Sequence, residues 1–130
     1  MITHSLLKEA MNMATITDLK EAKHVLTMDW GKIQWLIGKE IDPDCEMTFG
    51  MVYIDAGTSN PRHRHPNCEE LIFVLSGECE HSLGDETHHL KPGMMLRIPR
   101  NVVHDAKVTS WEPCRMLIIY SSPDRQTIGE

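Results

Sequence analysis

GTSNPRHRHPNCEELIFVLSG, residues 57–77, is the stretch that decides how this chain folds. His63 and His65 are two positions apart, so on an extended strand both imidazoles project to one face. Glu70 follows five positions after His65, the wrong parity for a single straight strand, and Pro66-Asn67 supplies turn chemistry between them. After that bend, Glu70-Leu71-Ile72-Phe73-Val74-Leu75 is apolar on both faces, which reads as a strand packed on each side. Ser76-Gly77 then marks a turn. A strand, a bend and a strand put two imidazoles and a carboxylate close together.

Outward from this block, short β-type runs alternate with Gly, Pro, Asp and Asn punctuation. The pattern predicts strands over 24–28, 32–37, 46–54, 58–65, 69–76, 78–83, 86–90, 94–98, 102–108 and 114–121. Turns are expected at Asp42-Pro43-Asp44, Asp55-Ala56-Gly57, Gly84-Asp85, Lys91-Pro92-Gly93 and Pro99-Arg100-Asn101. Many short strands at regular spacing argue an all-β barrel or sandwich. In the run 47–54, one face carries Met47, Phe49, Met51 and Tyr53. Residues 1–22 read as an N-terminal arm, a short amphipathic helix or irregular segment with Leu6, Leu7, Ala10 and Met13 near helical spacing. Residues 23–130 read as one domain.

The 130 residues hold 41% apolar content, enough for one core. Nineteen acidic against thirteen basic residues give a net charge of −6, and the basic residues are scattered, which argues against a nucleic-acid or anionic-membrane partner. No apolar run approaches a membrane span and no hydrophobic signal segment is evident, so a cytoplasmic location is expected. Cys45, Cys68, Cys79 and Cys114 form no C-x-x-C pair and are expected to be free thiols.

A second stretch, GMMLRIPRNVVHDAKV at 93–108, adds His104, 34 positions beyond Glu70. Only tertiary folding can bring it to the others, and a barrel whose inward faces converge does so. Imidazole plus carboxylate favours divalent transition metals, so His63, His65, Glu70 and His104 are the candidate ligands. Cys68 and Glu69 are rivals for the place of Glu70. His81 is expected to be structural or exposed, and His88 and His89 to lie at the surface. Arg64 should point away from the metal by alternation, whereas the direction of Arg97 is left open by the Pro99 bend.

The two quoted blocks resemble the two motifs of the cupin superfamily, over about residues 45–120. The resemblance implies a double-stranded β-helix (jelly-roll) barrel, with motif 1 at 57–77 and motif 2 at 93–108, holding one metal through His63, His65, Glu70 and His104. It also implies a homodimer. Two departures occur: Asn101 stands where glycine is usual and Val108 where asparagine is. Asparagine tolerates left-handed backbone, so the first is mild.

Such a cage would hold one divalent Fe, Mn, Ni, Zn, Co or Cu ion with open positions for a small-molecule ligand. Protonation of the ligands should release the metal at acid pH. The expected pocket walls are Met47, Phe49, Met51, Ile72, Val74 and Met94, with Trp35 and Tyr120 as further candidates. The expected function is that of a metal-dependent enzyme on a small oxygenated organic molecule, dioxygenase-like or a lyase or isomerase. The alternative is a non-catalytic cupin binding a small ligand or sugar. No catalytic acid or base is assigned; Tyr53, His81 and Asp105 are candidates.

Overall fold

The computed structural model describes residues 13–130. Among the described residues, eleven strands follow one another: β1 (Val25–Met28), β2 (Gly31–Ile37), β3 (Thr48–Ile54), β4 (His63–Arg64), β5 (Glu70–Ser76), β6 (Cys79–Leu83), β7 (Glu86–Leu90), β8 (Met95–Ile98), β9 (His104–Val108), β10 (Cys114–Tyr120) and β11 (Ile128–Gly129). They form two antiparallel sheets, ordered β1-β2-β3-β10-β5-β8 and β11-β4-β9-β6-β7. The chain passes repeatedly from one sheet to the other, and the inner faces enclose a common core. This is the jelly roll that the resemblance to cupins implies.

Nine of the ten expected strands form within a residue or two of their expected ends. The exception is 58–65, reduced to His63–Arg64 with a single bridge between Ser59 and Lys107. Pro61 lacks the N–H that a ladder needs, so pairing cannot run through it. Strand β11 has no counterpart in the sequence reading. The helical alternative for Leu6, Leu7 and Ala10 lies outside the described residues. Met13 is exposed, and the first regular element among the described residues is a three-residue 3-10 turn, Leu19–Glu21, whose Lys20 N–H is capped by the Asp18 carboxylate.

The inward face of β3 carries Thr48, Gly50, Val52 and Ile54, while Phe49, Met51 and Tyr53 look outward. The expected wall residues Phe49 and Met51 thus lie on the opposite face from the core. Alternation defines two faces but does not say which is inner, and here the inner one has the smaller side chains. Gly50 shows why: a Cβ there would stand 2.7 Å from the Trp35 ring and 2.6 Å from the Gln34 carbonyl. Strand β5 also departs from expectation. Glu70, Ile72 and Val74 are buried, but Phe73 and Leu75 are 39% and 37% exposed, so only one face is packed. All four cysteines are free thiols, and Cys68, Cys79 and Cys114 are buried as small hydrophobic groups.

Candidate metal centre

The two sheets deliver the ligand candidates from opposite sides. On the five-stranded sheet, His63 of β4 lies directly opposite His104 of β9. On the six-stranded sheet, Glu70 opens β5 between Tyr120 of β10 and Ile98 of β8. His65 sits just after β4, in the bend the sequence requires, and its carbonyl accepts the Asn101 N–H at 2.9 Å. Asn101 has φ +65°, the left-handed backbone for which glycine or asparagine is suited. That conformation in motif 2 therefore helps fix a histidine of motif 1.

One nitrogen from each of His63, His65 and His104 lies within 4.8 Å of the others. Glu70 Oε1 stands 3.1 Å from His104 Nε2 and 3.3 Å from His65 Nε2. Carbonyls orient all three rings: Pro61 O at 2.7 Å from His63 Nδ1, Gln126 O at 2.9 Å from His65 Nδ1 and Val102 O at 2.8 Å from His104 Nδ1. A carbonyl only accepts, so each Nδ1 carries the proton and each Nε2 is left with a bare lone pair. His65 Nε2, His104 Nε2 and Glu70 Oε1 are buried without a well-directed hydrogen bond, although they are close. They are all acceptors. Electron pairs that converge at about 3 Å in a buried site call for a cation between them.

Electrostatics keep the His63 ring neutral and the acid charged. Burial, then the neighbouring His104, push the His63 pKa down to about 4. Burial acts to raise the Glu70 pKa, but the adjoining His104 and His65 outweigh it and hold the acid below its ordinary range. Burial and then the Glu70 carboxylate push the Tyr120 hydroxyl well up. Neutral imidazoles and an ionised carboxylate are the forms that bind metal.

The rivals for the carboxylate position lie elsewhere. Glu69 turns away and pairs with Arg97 at 2.7 Å, which also settles the direction of Arg97. Cys68 is buried but stands outside the histidine cluster. Arg64 does not line the cavity, and His88 and His89 engage Glu86, Glu78 and Glu80 near the surface.

A cavity of about 350 Å3 opens onto the cage. Of the expected walls, Ile72 lines it, as does Tyr120. Met47 and Met94 are exposed, Phe49 and Met51 face outward, and Val74 is sealed in the core beyond the cavity. Trp35 lines a neighbouring groove instead. The inward alternates Val52, Met116 and Ile118 take their places, with Leu26, Met28 and Trp30 from the first hairpin. His81 lines this cavity too, against the expectation of a structural or exposed role; its ring stacks on His104 at 5.8 Å, and burial pushes its pKa down to about 4. Of the other acid–base candidates, Tyr53 lies outside beneath Lys32, and Asp105 binds Ser82 away from the cavity. Arg125, on the segment after the last long strand, also lines the cavity and is not among the expected residues.

A cupin-domain sequence profile matches residues 50–120. The chain belongs to the cupin family. This cupin is 32% identical over 78 residues to an uncharacterized protein of Streptomyces coelicolor, covering 60% of this chain and 72% of that one. It is 31% identical over 71 residues to the rhicadhesin receptor of Pisum sativum, covering 51% of this chain and 33% of the receptor. Among solved structures, the oxalate decarboxylase of Lactobacillus farciminis, in complex with formate, superposes with a TM-score of 0.78 at 20% identity, over 85% of this cupin and 34% of that chain. The Bacillus subtilis oxalate decarboxylase, a protein with Mn(II) centers, gives 0.76 at 17% identity, over 82% and 30%. The cupin spans about a third of each decarboxylase chain, and at these identities the likeness is one of fold.

Proposed function

We propose that His63, His65, His104 and Glu70 hold one divalent transition metal, and that the cupin acts as an enzyme on a small oxygenated molecule in the adjoining cavity. The observation that carries this is the convergence of bare Nε2 lone pairs and a carboxylate oxygen within about 3 Å, buried and without protons between them. Three neutral imidazoles and one carboxylate suit Fe, Mn, Co, Ni, Cu or Zn. Manganese is the first to test, given the Mn(II) centers of the B. subtilis neighbour. When bound, such an ion supplies Lewis acidity toward a ligand oxygen and, for redox-active metals, access to oxygen chemistry.

The rest of the chemistry is the chain's own. The carbonyls of Pro61, Gln126 and Val102 fix the ring orientations, as partners behind metal-binding histidines do. Met28, Trp30, Val52, Ile72 and Ile118 exclude water around the ligand and lower the local dielectric. His81 presents a neutral imidazole to the same space, able to exchange a hydrogen bond with a ligand. Purified protein reconstituted with each metal, then screened with small oxygenated acids, ketones and sugars, tests the reading. Turnover with oxygen uptake supports dioxygenase chemistry and anaerobic turnover a lyase or isomerase. Tight ligand binding with no turnover of any ligand would replace the enzyme by a binding module.

The expectation of a homodimer gains support from the outer face of the six-stranded sheet. There Met51, Leu117, Phe73 and Met95 align in one cross-strand row, and Phe49, Ile119 and Leu71 in the next. An outward apolar face of this breadth is typical of a covered surface. We propose that a second copy covers it. Light scattering should show a dimer that Phe73→Asp converts to monomer; a monomeric wild type would contradict this. No helix among the described residues is long and apolar enough to cross a membrane. A cytoplasmic location is proposed, to be checked by fractionation.

A further inference from the structure

Two guanidinium groups line the cavity, and they are in different electrostatic situations. Arg62 is already engaged: its Nε lies 2.7 Å from Glu130 Oε2, and its Nη1 lies 3.9 Å from Asp105. Arg125 enters no ion pair among the described residues. Its guanidinium lies 4.6 Å from the Trp35 ring and 5.0 Å from the Tyr120 ring, and its one side-chain hydrogen bond among the described residues is from Nη1 to Thr127 Oγ1 at 3.0 Å. Stacking on aromatic rings uses the face of the guanidinium and leaves its in-plane N–H groups free to donate.

The position of Arg125 is indexed to the cage. Asn67 ties down the segment on both sides, accepting the Gln126 N–H at 2.9 Å and donating to the Asp124 carbonyl at 2.8 Å. The Gln126 carbonyl accepts from His65 Nδ1, and Thr127 Oγ1 lies 3.2 Å from the same nitrogen. Tyr120, beneath Arg125, has its ring 5.0 Å from that of His65. A fixed cation with spare donors thus shares one cavity, mostly apolar in its walls, with the histidine cluster.

We propose that Arg125 is the specificity residue for a carboxylate, so that the cavity takes a small organic acid. The acid group sits in the plane of the Arg125 fork, the carbon skeleton lies against Met28, Trp30 and Ile72, and an oxygen function reaches the cage. The last part rests on the metal reading above; the role of Arg125 does not. A planar, bidentate carboxylate matches the guanidinium fork, and the charge-assisted pair is stronger in an apolar cavity than in water.

The test measures dissociation constants by calorimetry for 4-oxopentanoate and hexanoate against their primary amides. Wild type, Arg125→Gln and Arg125→Lys are compared, each with metal content determined and each also in metal-stripped form. The expected result is a preference for acid over amide of at least about tenfold in wild type, worth roughly 1.4 kcal/mol. Arg125→Gln should bring the ratio near one with metal content unchanged, and Arg125→Lys should keep part of it. If wild type binds no metal but retains the Arg125-dependent ratio, the metal reading fails and this assignment stands. Absence of any acid preference in wild type, or a preference that survives Arg125→Gln and vanishes on metal removal, would overturn the assignment.

Discussion

Replacing Glu70 by glutamine should make the metal-free protein more stable and the metal complex weaker. In the metal-free cage, Glu70 Oε1 faces two bare imidazole nitrogens at 3.1 and 3.3 Å, and the residue is 5% exposed. An unsatisfied buried polar group costs about 1–3 kcal/mol, and more when charged. A glutamine amide of the same shape carries no charge and donates an N–H to one of those nitrogens. Glu70→Gln should therefore stabilise the metal-free chain by about 1–3 kcal/mol at pH 8. For a domain of this size that is a rise in Tm of about 3–12 °C. Metal affinity moves the other way. Mutating partners behind the ligands commonly costs 10–100-fold, so loss of a charged ligand should cost at least about 100-fold. Calorimetric unfolding of chelator-treated protein and competitive metal titration read the two effects. A metal-free Glu70→Gln protein less stable than wild type, or unchanged affinity, would refute the reasoning.

Other consequences follow from the packing and the titrating groups. Gly77 has φ +76°, and a Cβ there would meet the Pro113 carbonyl at 2.4 Å; Gly77→Ala should cost more than about 2 kcal/mol in urea unfolding from left-handed strain plus the clash. Val52 is 5% exposed on the inner face, so Val52→Asp should cost about 3–5 kcal/mol, whereas Met51→Asp on the outer face should cost under about 1 in the monomer; equal effects would mean the face of β3 is misassigned. In metal-free protein the depressed His63 pKa of about 4 means that between pH 4 and the ordinary imidazole value near 6.5 the unfolded chain binds more protons than the folded one. Stability is thus complete above pH 6.5 and falls towards pH 4, by no more than about 3 kcal/mol; His63→Asn should flatten that slope, measured by denaturant midpoints against pH.

The cage was the most legible part of the chain because strand parity and turn chemistry constrain it twice. His63 and His65 fall in phase, Pro66-Asn67 forces the bend, and Glu70 reopens a strand, all from local rules. Where parity had no second constraint it misled. In β3 the two faces are distinguishable only by what packs on them, and the Trp35 ring against Gly50 selects the face with smaller side chains. His81 illustrates a signal that was present but not used: it shares parity with the buried Cys79 and lies opposite Ala106 in β9, so it faces inward. Arg125 and β11 had no signal. They belong to a segment of 121–130 without strand periodicity, placed by Asn67 and His65 across some sixty positions of sequence.

Whether this cluster holds one metal ion is open to direct measurement. Elemental analysis of wild type and a His63→Ala/His104→Ala variant, both exposed to equimolar Mn, Fe, Co, Ni, Cu and Zn and then desalted, tests it directly. Close to one ion per chain is expected in wild type and close to none in the variant, with both proteins showing the same β-rich circular dichroism. Equal metal content in two folded proteins would contradict it.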